Sequence, residues 1–218
     1  MTTTTPAIPT RPHLETFFSR VDPARSRLIF AIDATASRQT TWDTAAQLTT
    51  QMFAAAAAIG GLDVQLVYYR GDDECVASRW LSDAKSLTAI MSGVMCRAGT
   101  TKIARVLAHA HKENQRKKVN ALILISDACE EAPAELYAAA RKLSMPVFLF
   151  QEGDDQHVAT VYSTIASITH GASCGFDAGA AARLAELLRA VVAFAIGGRK
   201  ALAAEKTDAA QLLLSQLK

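Results

Sequence analysis

Residues 27–33, Arg27-Leu28-Ile29-Phe30-Ala31-Ile32-Asp33, form a short apolar run closed by a carboxylate. The pattern returns at Val119 to Asp127, VNALILISD, again ending in aspartate. A run that is apolar at consecutive positions, rather than at every second one, reads as a strand buried on both faces, which is the situation inside a parallel sheet. The intervals around these two strands alternate between helix and strand. Trp42 to Ile59 reads as an alanine-rich helix stopped by Gly60-Gly61, and Leu62 to Arg70 as the next strand. Gly71-Asp72-Asp73 then turns the chain tightly, which places Cys75 to Trp80 as a short antiparallel edge strand. Helices are predicted at Ser82 to Val94 and Lys102 to Asn114, and after the second Asp-ended strand at Pro133 to Leu143. Pro146 to Glu152 and Ala172 to Phe176 complete the strands, separated by a helix at His157 to Thr169 and followed by one at Gly179 to Ile196. The fold class this predicts is α/β: a doubly wound, mostly parallel sheet of six strands with one antiparallel edge, covered by helices on both faces in a Rossmann-like three-layer sandwich.

Composition agrees with a globular domain. Of 218 residues half are apolar and 20% charged, and the formal net charge is only +2. Such a charge supplies no field that would gather nucleic acid or a membrane surface, so neither is expected as a partner. The four cysteines, Cys75, Cys96, Cys129 and Cys174, have no C-x-x-C or zinc-ligand spacing and read as free thiols of a reducing compartment. The first residues are rich in threonine and proline, without the cationic and apolar regions of a secretory signal. The longest apolar stretch, Leu184 to Ile196, is broken by Glu186 and Arg189 and falls short of the roughly 20 residues a bilayer requires. The expected location is therefore cytoplasmic. Residues 1–13 are expected to be a disordered arm and 14–197 the domain, with its core at 27–196. Leu14 to Val21 is expected to be a short helix that brings Phe17 or Phe18 onto the domain. Residues 198–218, with Leu202, Leu212, Leu213, Leu214 and Leu217, are expected to be a helical extension that docks on the domain or on a partner.

In an open doubly wound sheet, ligands bind beyond the carboxyl ends of the strands where the strand order reverses. If the strands ending in Asp33 and Asp127 are neighbours, their carboxylates meet in that crevice, where a cation between them would relieve their repulsion. The first loop, Asp33-Ala34-Thr35-Ala36-Ser37, adds hydroxyls at alternate positions. Such oxygen donors suit a hard cation, Mg²⁺ or Ca²⁺, with Mn²⁺ as a substitute.

These elements resemble those of the von Willebrand factor type A (VWA) family and its metal-ion-dependent adhesion site (MIDAS). That site is built from D-x-S-x-S after the first strand, a threonine from a later loop, and an aspartate ending the fourth strand. Here the first element is DATAS, residues 33–37, with Thr35 in place of a serine but keeping the hydroxyl. Arg97-Ala98-Gly99-Thr100-Thr101-Lys102-Ile103-Ala104 is similar to the threonine loop, with Thr101 as the metal threonine and Thr100 as the near alternative. Leu122 to Asp127 is similar to the fourth-strand element, although Ala128 and Ala104 stand where the family has glycine. The resemblance covers Arg27 to Ile196. It implies that Thr35 and Ser37 bind the metal directly, Thr101 directly or through water, and Asp33 and Asp127 largely through water. One coordination position would remain for an Asp or Glu of a protein partner. The family also implies an adaptor role, in some members beside AAA+ ATPases or chaperone machinery.

Other readings of the same residues predict different chemistry. Asp33 could cap the following helix, since aspartate is a favoured N-cap, or the fold could have kept its scaffold and lost its metal. A Mg²⁺-dependent phosphatase or phosphotransferase would also place an aspartate after the first strand, but would need a second carboxylate where Thr35 stands. No G-x-G-x-x-G or Walker A pattern occurs. A metal-free scaffold would hold its partner through the C-terminal leucines. Glu130, Glu131, Glu152, Asp154 and Asp155 all follow strands at the ligand edge and read as solvated loop residues. Lys112, Arg116, Lys117 and Lys118 crowd a helix end, where cations meet the negative end of the macrodipole.

Overall fold

A computed structural model describes residues 25–57, 60–177 and 180–217; the expected arm and the helix at Leu14 to Val21 lie outside them. The strands are β1 (Ser26–Asp33), β2 (Leu62–Arg70), β3 (Glu74–Ala77), β4 (Ala121–Ser126), β5 (Val147–Glu152) and β6 (Ala172–Phe176). They form one sheet in the order β3-β2-β1-β4-β5-β6, parallel except for the antiparallel pair β2–β3. The helices are α1 (Gln39–Ala57), α2 (Ala84–Ser92), α3 (Ile103–Arg116), α4 (Pro133–Ala140), α5 (Gln156–Thr169), α6 (Ala181–Ala204) and α7 (Asp208–Gln216).

The period-2 geometry of a strand divides each central strand between two apolar layers. Leu28, Phe30 and Ile32 of β1 join Trp42 and Met52 of α1, Leu87 and Met91 of α2, and Leu184, Leu188 and Val191 of α6 on one face. Ile29 and Ala31 face the opposite layer, where Ile103, Val106 and Leu107 of α3 meet Leu136 of α4 and Val161 and Ile165 of α5. Burial on both faces is why β1 and β4 read as continuous apolar runs. Trp42 ties two helices of the first layer together by donating from its indole to Met91 O at 3.1 Å.

The edges depart from the sequence expectation. β3 ends at Ala77 rather than Trp80 because Ser78 uses its side chain. Its Oγ accepts from Leu66 N at 3.0 Å while its own N–H still donates to Leu66 O at 2.8 Å, and beyond it β2 is paired again by a bridge between Val64 and Leu81. At the other end, α6 runs past Gly197-Gly198 to Ala204, with a break at Gly198 where φ is +64°. The chain then turns back as α7, and Leu202, Ala209, Ala210, Leu213 and Leu217 are buried in the α1–α6 layer of the domain core. Gln216 reaches the outer side of β6, accepting from Ser173 N and donating to Ser173 O, both at 2.9 Å. Its side-chain amide thus takes the place of a neighbouring strand's peptide. No helix among the described residues is long and apolar enough to cross a membrane.

Candidate metal centre

The chain runs outward through β1, β2 and β3, then crosses back to β4 beside β1, so the strand order reverses between β1 and β4. Asp33 ends β1 and Asp127 directly follows β4, which brings both to the crevice at that reversal. The loop after β1 is fixed on both sides: Ala34 N donates to Tyr69 O at 2.9 Å, and Ala34 O accepts from Arg97 N at 3.0 Å. Within the loop, Thr35 N donates to Asp33 Oδ1 at 2.7 Å, and a 3₁₀ turn follows at Ala36–Arg38. Asp33 is therefore not a helix cap; the turn begins at Ala36 after Thr35, whose side chain makes no cap bond. Its second oxygen, Oδ2, accepts from Ser126 Oγ at 2.9 Å.

All five expected residues, Asp33, Thr35, Ser37, Thr101 and Asp127, line one cleft of about 250 Å³ together with Glu130. Asp33, Thr35 and Thr101 are buried at its floor, while Ser37 is exposed and Asp127 partly so at its mouth. Thr101 turns into the cleft, whereas the exposed Thr100 accepts at its hydroxyl from the Lys102 ammonium at 2.6 Å. Burial raises the Asp33 pKa, opposed by its hydrogen bonds from Thr35 and Ser126.

The oxygen spacing tests whether the residues fit a cation. Cis oxygen ligands of a six-coordinate site lie about 3.0 Å apart around Mg²⁺ and about 3.4 Å apart around Ca²⁺, from their usual bond lengths. Ser37 Oγ lies 3.2 Å from Asp127 Oδ2 and 3.4 Å from Thr35 Oγ1. The donor set therefore fits a hard cation held by hydroxyls as well as carboxylates. Among the described residues no cluster of three His, Cys, Asp or Glu is placed to hold a metal without such hydroxyl help.

Several carboxylates read as solvated have defined structural roles. Glu130 accepts from Thr101 N at 2.6 Å, and its own N–H donates to Thr101 Oγ1 at 3.1 Å, so the two loops are doubly joined. Glu131 accepts from Ile103 N at 2.6 Å and Ala104 N at 2.8 Å, capping α3 from a different part of the chain. Asp155 caps α5 through His157 N and Val158 N. Glu152 accepts from Thr41 and pairs with Arg38. Arg38 is the residue that the sequence reading missed. It is only 2% exposed, and its guanidinium lies 3.8 Å from Asp127 as well as against Glu152. An arginine at the end of a polar loop ordinarily reads as solvated, and only the β5 partner reveals that it is interior.

No family profile and no curated protein matches the sequence. Solved structures do match the fold. A von Willebrand factor type A protein from Catenulispora acidiphila superposes with a TM-score of 0.61 at 18% identity, over 79% of this chain and 43% of the other. The SpRpn10 VWA domain gives 0.57 at 11% identity, over 72% of this chain and 90% of that domain. Proximal thread matrix protein 1 of the mussel byssus, solved with a zinc-occupied MIDAS motif, gives 0.54 at 15% identity, over 78% and 46%. The chain spans less than half the length of the first and third of these. Its fold is that of a VWA domain, a mostly parallel α/β sandwich with a single antiparallel edge pair.

Proposed function

We propose that this VWA-fold domain is a non-enzymatic interaction module that binds a divalent cation, Mg²⁺ or in its place Mn²⁺ or Ca²⁺, and through it a carboxylate of a protein partner. The observation that carries this reading is the convergence of Thr35, Ser37 and Asp127 oxygens at ligand-like separations in the crevice between β1 and β4. Thr35, Ser37 and Asp127 would hold the cation, with Asp33 and Thr101 beneath them. A bound cation supplies a coordination position that an Asp or Glu of the partner can take. The protein's own contribution is orientation. Ser126 and the Thr35 N–H fix the Asp33 carboxylate, and Glu130 fixes the Thr101 loop. Exposure rises from the floor to Ser37 and Asp127, so a partner side chain meets the open side of the donor set. Among the described residues no histidine, lysine or cysteine lines the cleft, and Ser37 donates its proton to Asp127 rather than to a nitrogen base. The unpaired cysteines support a cytoplasmic setting for this activity.

The test is a calorimetric titration of the metal-free protein with Mg²⁺ and Mn²⁺ beside Asp33→Ala and Asp127→Asn. Saturable binding by the wild type, weakened about 10- to 100-fold in Asp127→Asn, is the expected result. Equal heats in wild type and both variants, or none in any, would overturn the metal reading.

A further inference from the structure

Arg38 adds a charge that this donor set does not need for its geometry. It follows Ser37 directly, sits at 2% exposure, and is held between Glu152 at the end of β5 and Asp127 after β4. The same oxygen, Asp127 Oδ2, accepts from Ser37 Oγ at 3.2 Å and faces Arg38 Nη1 at 3.8 Å. Any cation held by Ser37 and Asp127 therefore shares that oxygen with the Arg38 guanidinium. Two cations at one carboxylate repel, and burial of Arg38 removes the water that would screen them.

We propose that Arg38 is a built-in counter-cation that weakens divalent-cation binding on its own and makes it conditional on an arriving carboxylate. The proposal rests on the metal reading above and concerns how that site is regulated. Without a cation, Arg38 offsets one of the negative charges that Asp127 and Glu152 bring to the crevice. A divalent cation alone must share Asp127 Oδ2 with the guanidinium, and a partner carboxylate supplies an anionic ligand that the arginine does not hold. Because binding free energies are linked, the carboxylate must tighten the cation by the same factor as the cation tightens the carboxylate. The site would then stay unloaded until a partner is present.

The probe is Mn²⁺, with free ion counted by electron paramagnetic resonance, with and without acetate at constant ionic strength and corrected for acetate–Mn²⁺ association in buffer. The proteins are the wild type, Arg38→Met/Glu152→Gln, and Glu152→Gln alone. The double variant removes both members of the buried pair, so no orphan charge is left, and the amide that replaces the Glu152 carboxylate can still accept from Thr41. It is expected to bind Mn²⁺ at least about tenfold more tightly than the wild type without acetate, while acetate tightens the wild type by about fivefold or more and the double variant by less than about twofold. Glu152→Gln alone frees the guanidinium for Asp127 and is expected to weaken Mn²⁺ binding, the opposite direction. If both variants bind like the wild type, or acetate acts on all three alike, the arginine proposal falls while the metal reading stands. Absence of Mn²⁺ binding by all three overturns the metal reading and the proposal together.

Discussion

Gly171→Ala is expected to lower the stability of the domain by about 4 kcal/mol or more, at the extreme of single-residue effects. Gly171 leads into β6 at the point where the chain passes the start of β5. A Cβ there would lie 1.9 Å from Val147 O and 2.7 Å from both Val147 C and N. All three are backbone atoms of an interior strand paired with β4 and β6 on its two sides, so neither strand can yield without breaking the ladder. Urea unfolding followed by circular dichroism measures the effect. Gly175→Ala on the same strand is the control, since its Cβ would meet nothing closer than 3.6 Å, and is expected to stay within about 1 kcal/mol. Equal midpoints for the two variants would show that the close approach does not govern the β5–β6 crossing.

Glu113→Ala is expected to cost about 3–5 kcal/mol, because it leaves a buried cation without its partner. Arg27, at the start of β1, is 6% exposed and reaches Glu113 of α3 at 3.2 Å and Lys117 O at 2.6 Å. Its guanidinium lies 3.7 Å from the Trp80 ring centroid, and Trp80 itself donates to Glu113 at 2.9 Å. Arg116 adds a third donor at 2.7 Å. Burial pushes the Glu113 carboxyl up, but the Trp80 and Arg116 hydrogen bonds outweigh it and hold the pKa below the ordinary value. A depressed folded-state pKa contributes stability that is complete above the unfolded value of about 4.3 and is lost as the pH falls through the lower folded value. Glu113→Gln, which keeps the shape but cannot ionise, should therefore flatten the loss of stability on acidification below about pH 4.3. Melting temperatures measured across that range check it, and parallel curves for wild type and variant would refute the ion-pair account.

The parts of the molecule legible in its sequence are those decided by burial. β1 and β4 are apolar at successive positions because both faces are covered. Their adjacency, if assumed, places Asp33 and Asp127 in one crevice, and the hydroxyls of Thr35 and Ser37 follow from the loop after β1, whereas Thr101 comes only from the resemblance to the VWA threonine loop. What stayed hidden depends on pairing across long separations. Glu131 looks like a solvated loop carboxylate until α3 is seen to start against it, and Arg38 looks like a surface arginine until Glu152 comes from β5. The end of β3 is set by one side-chain acceptor, Ser78 Oγ, which no propensity reports. The C-terminal leucines were equally consistent with docking on the domain or on a partner. Burial of Leu213 and Leu217 in the domain's own layer shows that these two already have their contact.

The amide of Gln216 has a consequence for how molecules of this protein can meet. By occupying both hydrogen-bonding groups of Ser173, it obstructs the outer edge of β6 at its centre, while among the described residues nothing pairs with the outer side of β3. Each molecule then has a bonding valence of one along the hydrogen-bond direction of its sheet. Edge-to-edge association would stop at a pair, with no free end from which a fibril could propagate. Loss of α7 would raise that valence to two and turn a chain terminator into a repeating unit.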